Sequence, residues 1–486
     1  MPARLVLRRS SLAQFFTPLI FYLAGCLACL VVAYALGDVW MPSLFLTGCV
    51  AVLLAWRGIQ WPDKWSRYLS FGAVLLLICA VERGFYVADY FVNGTQFDAW
   101  PFQVLSPQTA VFKGEIVAII GTLLVVLAWR TCGGARVSPV LVMEQPRQIY
   151  RVATIIYAFS LASMLVTALA AGIAASLGQL LPTLLGMGLV SAFLLSMALF
   201  RRDGGRLIAV LTLSAPFALL ASGSGMKESM LLALVPSAVM AWRYFRSPFL
   251  RVSMIVIAVA GLGLVTAYVN FYRDEVWVRV NRGLPPSQMV PQDFMRKLNT
   301  EGFPYVVGNG VAAFFERSDA SYLHGWAVSI ADEQAFHPEL VFAPLTYVFV
   351  PRMLWPEKPS IQTGLEYSSL VFGEDYLQWS TSSTAAGFYP SLYLGAGWPA
   401  VFGGSLLAGA LLAAMTRLVL RFGGAQTASL YVFSMLPSML RMDENWADGV
   451  LSRPVLGAFY VMAIVALAKV FASVVFHARR APGTWE

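Results

Sequence analysis

The segment from Pro351 to Pro359 is the part of this sequence whose residue types and spacing most clearly predict chemistry. It reads Pro-Arg-Met-Leu-Trp-Pro-Glu-Lys-Pro, so Arg352 and Lys358 each lie beside a proline. Prolines stiffen the backbone around both cations, which lowers the entropic cost of holding them in place. A planar Arg fork with a Lys point charge suits a phosphate or diphosphate. The alternative is a rigid turn at the membrane surface, with Lys358 paired to Glu357 or Glu374.

A second candidate phosphate site lies where a Ser-Gly-Ser-Gly turn, residues 222–225, precedes Lys227 and Glu228. Glycine and helix N-terminal amides beside a cation favour phosphate. Other ionisable residues lie within or at the ends of apolar segments, where such groups are costly and usually functional. These residues are Glu82, Arg83, Arg273 and Arg441. Ion pairs that lock helices together are the alternative interpretation for Glu82 with Arg83 and for Lys227.

Helical spacing predicts one amphipathic helix over residues 311–330. Its apolar side would carry Val311, Phe314, Phe315, Tyr322 and Trp326. Arg317, Ser321 and His324 follow at i, i+4 and i+7 and would share another face. The helix would either lie in the membrane interface with a solvated polar side or turn Arg317 into a polar cavity.

The elements that carry these residues are predicted to be membrane-spanning helices. The chain of 486 residues is 58% hydrophobic and 12% charged, with a mean hydropathy of +0.68, well outside the range of soluble domains. Its long apolar runs indicate an all-α polytopic membrane protein with about twelve transmembrane helices. The approximate spans are 17 to 36, 40 to 56, 69 to 92, 115 to 130, 152 to 175, 179 to 200, 207 to 223, 227 to 245, 252 to 272, 390 to 415, 427 to 441 and 452 to 475.

The distribution of charge predicts the orientation. Basic residues concentrate in alternate loops, which indicates that these loops and both termini are cytoplasmic. The chain then divides into helices 1–9 (residues 1–272), one large extracytoplasmic loop with amphipathic helices (273–387) and helices 10–12 (388–486). Because topology accounts for the basic residues, the net charge of +8 does not indicate a nucleic-acid partner.

The order of the motifs resembles the oligosaccharide repeat-unit polymerases, the O-antigen and exopolysaccharide polymerases of Wzy type. The resemblance covers about 220 to 410. It rests on the Gly/Ser turn before Lys227, on Phe-Glu-Arg-Ser at 315–318, on the proline-rich segment, and on Thr-Ser-Ser at 381–383 before Gly-Phe-Tyr-Pro-Ser-Leu-Tyr-Leu-Gly-Ala-Gly at 387–397. Many relatives have an acidic residue before the Tyr and Gly-x-Gly stretch. This chain has Pro390-Ser391 there, so no acidic catalyst is carried over.

The resemblance implies a multi-pass glycosyltransferase of the bacterial inner membrane with a GT-C-like architecture. It would transfer a glycan from a polyprenyl-diphosphate carrier to the non-reducing end of another lipid-linked repeat unit on the periplasmic face. Expected partners are this lipid-linked oligosaccharide, membrane lipid, and chain-length regulator and export proteins. Because the donor is already activated, no cofactor and no metal are expected. A ligase with the same donor and a lipid or polysaccharide transporter are the alternatives.

The resemblance also implies a role for each candidate residue. The diphosphate would be bound by Lys227, Arg273, Arg317, Arg352 and Lys358. Fixed cations stabilise the charge that develops on a leaving group, so Arg317, Arg352 and Lys358 are also catalytic candidates. The acceptor hydroxyl needs a proton acceptor, for which the sequence does not rank Glu228, Asp319, His324 and His337. Sugar binding is predicted for Glu82, Arg83, Tyr322, Trp326, His337, Trp355 and Arg441.

Overall fold

The computed structural model describes most of the second half of the chain and part of the first. The described ranges are 107–132, 146–169, 181–200, 202–222, 247–279, 290–318, 321–350, 363–373, 386–435 and 453–477, with isolated residues between 233 and 245 and between 354 and 359. All regular secondary structure in these ranges is helical, which confirms the predicted all-α class.

The helices are numbered here in chain order. They are α1 (Pro107–Thr131), α2 (Pro146–Leu169), α3 (Leu181–Leu199), α4 (Asp203–Ser222), α5 (Pro248–Tyr272), α6 (Val290–Glu301), α7 (Phe303–Ser318), α8 (Ser321–Glu333), α9 (Pro338–Phe342), α10 (Thr363–Phe372), α11 (Phe388–Ser434) and α12 (Arg453–His477). A π-helical turn, Arg273–Val278, continues α5, and a 3-10 turn, Ala343–Thr346, continues α9.

Six helices in the described part of the chain are long and apolar enough to cross a membrane. They are Thr109–Trp129, Tyr150–Thr167, Asp203–Leu220, Pro248–Tyr272, Phe388–Gly424 and Arg453–Ser473. Each coincides with a predicted span, and α3 contributes a shorter apolar helix, Thr183–Leu199. The predicted spans 17 to 36, 40 to 56 and 69 to 92, most of 227 to 245 and part of 427 to 441 lie outside the described residues. The total of about twelve spans therefore stays a prediction.

Large apolar side chains on these helices point away from the protein. Phe249, Ile257 and Leu219 are 75%, 70% and 73% exposed. Soluble proteins rarely leave extended apolar surfaces in water, whereas hydrocarbon solvates such surfaces without penalty. The exposed faces therefore fit helices surrounded by lipid.

Helix α1 packs against both α8 and α11, and α11 also packs against α3, α9 and α12. Gly114 makes the contact with α8 possible, because a Cβ atom at this position would lie 2.7 Å from the carbonyl carbon of His324. Buried apolar residues of the three helices, including Val117, Ala327 and Leu392, form one continuous core. The close approach at Gly114 brings polar residues of α1 and α8 together at one end of this core.

The prediction of one helix over 311–330 is wrong. The chain forms two helices there, α7 ending at Ser318 and α8 beginning at Ser321. The sequence Ser-Asp-Ala-Ser between Ser318 and Ser321 explains the division, because Ser and Asp side chains compete for backbone hydrogen bonds and favour helix ends. Arg317 and His324 therefore do not share a face of one helix. His324 also does not lie on a solvated side, since it is only 5% exposed.

Candidate functional site

Helix α8 brings His324 against Glu115 of α1. The imidazole Nδ1 lies 2.7 Å from the Glu115 Oε1 atom, and the two residues are only 5% and 7% exposed. Ionisable groups in an apolar core are costly unless they are paired. A carboxylate accepts a hydrogen bond from Nδ1–H, which leaves Nε2 as the ring nitrogen that can accept a proton. We call these two residues the Glu115–His324 dyad.

Gly387 lies on the Nε2 side of the dyad. Its φ of +82° is in the left-handed region that favours glycine, and a Cβ atom here would lie 2.8 Å from Nε2. Glycine therefore satisfies two requirements at once, the backbone conformation and the close approach to the imidazole. Nε2 of His324 therefore lies against the first residue of the 387–397 motif.

Tyr367 positions α10 beside the dyad. Its hydroxyl donates a 2.8 Å hydrogen bond to the carbonyl oxygen of Leu323, the residue before His324. The side chain is 2% exposed, and burial raises the pKa of Tyr367 well above its ordinary value. The hydroxyl consequently stays protonated and acts as a permanent donor to the backbone of α8.

A second polar cluster joins the same three helices, α1, α8 and α11. Lys113 Nζ lies 2.5 Å from Asp332 Oδ2, and the Tyr393 hydroxyl donates a 2.8 Å hydrogen bond to Asp332 Oδ1. The Lys113 ammonium also lies 4.9 Å from the centre of the Tyr393 ring. Tyr393 is buried, while the Lys113 and Asp332 side chains are 34% and 36% exposed. We call these residues the Lys113–Asp332–Tyr393 cluster.

Helix α11 is broken directly after this cluster. Ala396 and Gly397 leave the helical conformation, with φ of +66° at Gly397. The His337 backbone N–H donates a 2.8 Å hydrogen bond to the Leu394 carbonyl oxygen, which satisfies one acceptor near the break. The part of α11 from 398 to 423 would be about 39 Å long and could cross a ~30 Å hydrocarbon core by itself. The break therefore fits the boundary of the membrane.

The structure distinguishes two of the four candidate proton acceptors, His324 and His337. His324 is buried against a carboxylate, whereas the partly buried His337 bonds at 3.0 Å to Glu339, two residues away along the chain. Asp319 and Glu228 lie outside the described residues. Of the two described candidates, only His324 has a partner from a distant helix that fixes its orientation.

Four of the seven predicted sugar-binding residues, one of them His337, lie in the described part of the chain. Trp326 packs edge-on against Phe372 with ring centroids 5.6 Å apart, and Tyr322 is partly buried. Trp355 is 42% exposed. Glu82, Arg83 and Arg441 lie outside the described residues.

The predicted diphosphate-binding cations are mostly beyond the described part of the chain. Arg273 begins the π-helical turn after α5, and Arg317 belongs to the last turn of α7, although its side chain is not among those described. Lys227, Arg352 and Lys358 lie outside the described residues. Convergence of these cations on one site therefore stays a prediction. Within the described ranges, no three His, Cys, Asp or Glu side chains are grouped as metal ligands would be.

Four residues of the two clusters were not predicted as site residues: Lys113, Glu115, Asp332 and Tyr393. Lys113 and Glu115 carried a usable signal, because they are ionisable residues at one end of a predicted span, the criterion that selected Glu82 and Arg83. Tyr393 belongs to the motif that carries the resemblance. Asp332 had no comparable signal, because only packing of α8 on α1 gives it a basic partner.

The clusters can do different chemistry. The dyad can accept a proton at Nε2 while its carboxylate stabilises the resulting imidazolium. The Lys113–Asp332–Tyr393 cluster offers hydrogen-bond donors and acceptors at a partly exposed surface.

The chain matches the model of a protein family. A family described as "Domain of unknown function (DUF8712)" matches residues 138–473, a range that includes His324, Asp332 and Tyr393 and begins after Lys113 and Glu115. No curated protein and no solved structure is detectably similar to the chain. Because the matched range covers more than two thirds of the 486 residues, this protein belongs to the DUF8712 family.

Proposed function

We propose that this protein is a membrane glycosyltransferase of the polysaccharide polymerase class. It transfers a glycan from a polyprenyl-diphosphate carrier to the non-reducing end of another lipid-linked repeat unit, on the periplasmic face of the bacterial inner membrane. The sequence resemblance supports the proposal. The observation that carries it is that the 387–397 motif, part of that resemblance, begins against Nε2 of the Glu115–His324 dyad.

In this mechanism His324 is the proton acceptor. The acceptor hydroxyl transfers its proton to Nε2 as its oxygen forms a bond to the anomeric carbon of the donor glycan. The bond between that carbon and the diphosphate oxygen breaks, and the polyprenyl diphosphate leaves with the electron pair. Glu115 holds the ring by its Nδ1–H and stabilises the positive charge on the imidazolium, as the carboxylate does in a Ser-His-Asp triad.

The leaving diphosphate needs positive charge nearby. We assign this role to Arg273, Arg317, Arg352, Lys358 and Lys227, as the resemblance implies. Fixed cations in a site with little water stabilise developing charge without having to reorganise during the reaction.

A structural role is the alternative for the dyad, since a buried hydrogen-bonded pair can lock α8 to α1. Such a pair is weak evidence for stability, because apolar residues of similar volume often pack as well. A locking role requires only the contact at Nδ1, whereas proton transfer also uses Nε2, the nitrogen that lies against Gly387.

The test is a polymerisation assay with purified protein in nanodiscs and native lipid-diphosphate repeat units as the sole substrate. We expect a ladder of longer glycans from the wild type. The folded His324→Gln variant should be slower by roughly 10²- to 10⁴-fold, the usual contribution of a general base. The control is His477→Gln, at the end of α12, which should keep wild-type ladders.

Each failure has a separate meaning. A wild type that makes no ladder from these units refutes the polymerase proposal. If it instead joins finished glycan to a different acceptor, the ligase alternative replaces it. A folded His324→Gln variant with normal ladders refutes the role of the dyad alone.

A further inference from the structure

We propose that the Lys113–Asp332–Tyr393 cluster binds a sugar ring of the acceptor glycan through its hydroxyl groups. The inference rests on the proposed function, because it names the part of the substrate that this second cluster would bind. It assigns a ligand to three residues for which sequence analysis gave no role.

The hydrogen bonds within the cluster leave capacity for a ligand. Each oxygen of Asp332 accepts one hydrogen bond, from Lys113 or from Tyr393, and keeps a further lone pair. The Lys113 ammonium has three N–H groups, and its hydrogen bonds to Asp332 and to the Tyr393 hydroxyl use two of them. Because about a third of each charged side chain is exposed, these free positions are open to the surroundings.

The charge of the cluster selects the class of ligand. One cation and one anion 2.5 Å apart have no net charge, so the cluster offers no general attraction for a phosphate. Paired donors and acceptors suit a neutral hydroxyl group, which both donates and accepts hydrogen bonds. The cluster is therefore suited to the glycan of the substrate and not to its diphosphate.

Aromatic rings beside the break in α11 supply an apolar surface for the same ligand. Trp398 is partly exposed and packs edge-on against Tyr393, with ring centroids 5.6 Å apart. Phe336 is 50% exposed and lies against Gly397. A sugar ring has apolar C–H faces and polar edges, so it can lie on exposed aromatic surface while its hydroxyls reach a carboxylate and an ammonium.

The spacing of the two clusters fits one short oligosaccharide. Asp332 follows His324 by eight positions in α8, about 12 Å along the helix, while their partners Lys113 and Glu115 are two positions apart in α1, about 3 Å along it. An acceptor whose reactive hydroxyl lies at His324 would therefore place a neighbouring sugar at the second cluster. The cluster then acts on acceptor binding and selects for more than a single sugar.

A latch between helices is the rival explanation, because the ion pair also joins α1 to α8. Reversing the pair distinguishes the two roles. The double variant Lys113→Asp with Asp332→Lys keeps opposite charges on the two helices but moves the carboxylate from α8 to α1. A latch tolerates this exchange, whereas a sugar site does not.

The experiment measures binding without donor or catalysis. The probe is the free oligosaccharide released by mild acid from native lipid-linked repeat units, titrated calorimetrically into full-length protein in nanodiscs. We expect Asp332→Asn to weaken binding roughly 10-fold or more and Tyr393→Phe several-fold, as for loss of hydrogen bonds to a charged group. The matched control is Glu301→Gln, which neutralises an ion pair of similar exposure, Lys297 with Glu301 on α6.

Three results would overturn the inference. They are no binding of the oligosaccharide by wild-type protein, unchanged affinity in Asp332→Asn, and full recovery of affinity in the charge-reversed double variant. If Asp332→Asn does not fold, Tyr393→Phe decides, because it keeps the ring and removes only the hydroxyl. Since no donor is present, these results are independent of whether the polymerase proposal holds.

Discussion

Each single replacement within the Glu115–His324 dyad should lower the free energy of unfolding substantially. The double replacement should lower it by less than the sum of the two single replacements. The variants are Glu115→Leu, His324→Leu and the double variant, which put side chains of comparable size into the same space. Both residues are more than nine-tenths buried, so solvent screens their interaction little. Breaking a buried pair by removing one partner typically costs about 3–5 kcal/mol. Replacing the whole pair by apolar residues is often close to neutral.

The magnitude follows from this difference. Two single variants that each lose about 3 kcal/mol would sum to about 6 kcal/mol, whereas the double variant should lose clearly less. The 2.7 Å distance between Nδ1 and Oε1 is that of a strong, charge-assisted hydrogen bond, so a coupling of about 1.5–3 kcal/mol is expected.

The assay is reversible unfolding of detergent-purified protein, followed by the fluorescence of its tryptophans for all four species. The four free energies of unfolding form a double-mutant cycle, which isolates the pairwise interaction. Strictly additive single variants, with a coupling below about 0.5 kcal/mol, would refute the argument that the pair is a coupled unit.

Two further predictions concern packing and topology. Gly114→Val should destabilise the protein by about 1–3 kcal/mol, because the added side chain would enter the space occupied by the backbone of His324. The control Gly308→Val on α7 has no atoms near its missing Cβ and should change stability little. Thermal unfolding of the two variants checks this, and equal shifts in their melting temperatures would contradict it. In a cysteine-free background, an impermeant thiol reagent added outside the cell should label Thr300→Cys on α6 and leave Arg202→Cys unlabelled. The reverse labelling pattern would invert the predicted orientation.

The sequence by itself determined the all-α class and the positions of the six apolar helices that the structure describes. Hydrocarbon solvates apolar side chains and leaves backbone groups to pair within the chain, so a long apolar run must be helical. This is why the predicted spans at 115 to 130 and 252 to 272 return in the structure as Thr109–Trp129 and Pro248–Tyr272. The prediction of one helix over 311–330 was wrong because it relied on hydrophobic spacing, which continues across Ser318 and Ser321. Ser and Asp side chains compete locally for backbone hydrogen bonds, and this favours the end of one helix and the start of another.

The candidate site depended on tertiary structure. His324 was one of four unranked candidates, and its partner Glu115 lies 209 residues earlier in the chain, while Lys113 and Asp332 are separated by 219 residues. Periodicity and propensity act over a few turns of helix, so they cannot show which polar groups face each other across such separations. Packing of α8 and α11 on α1 decided that, with Gly114 allowing α1 and α8 to meet and Gly387 allowing the backbone to pass close to Nε2.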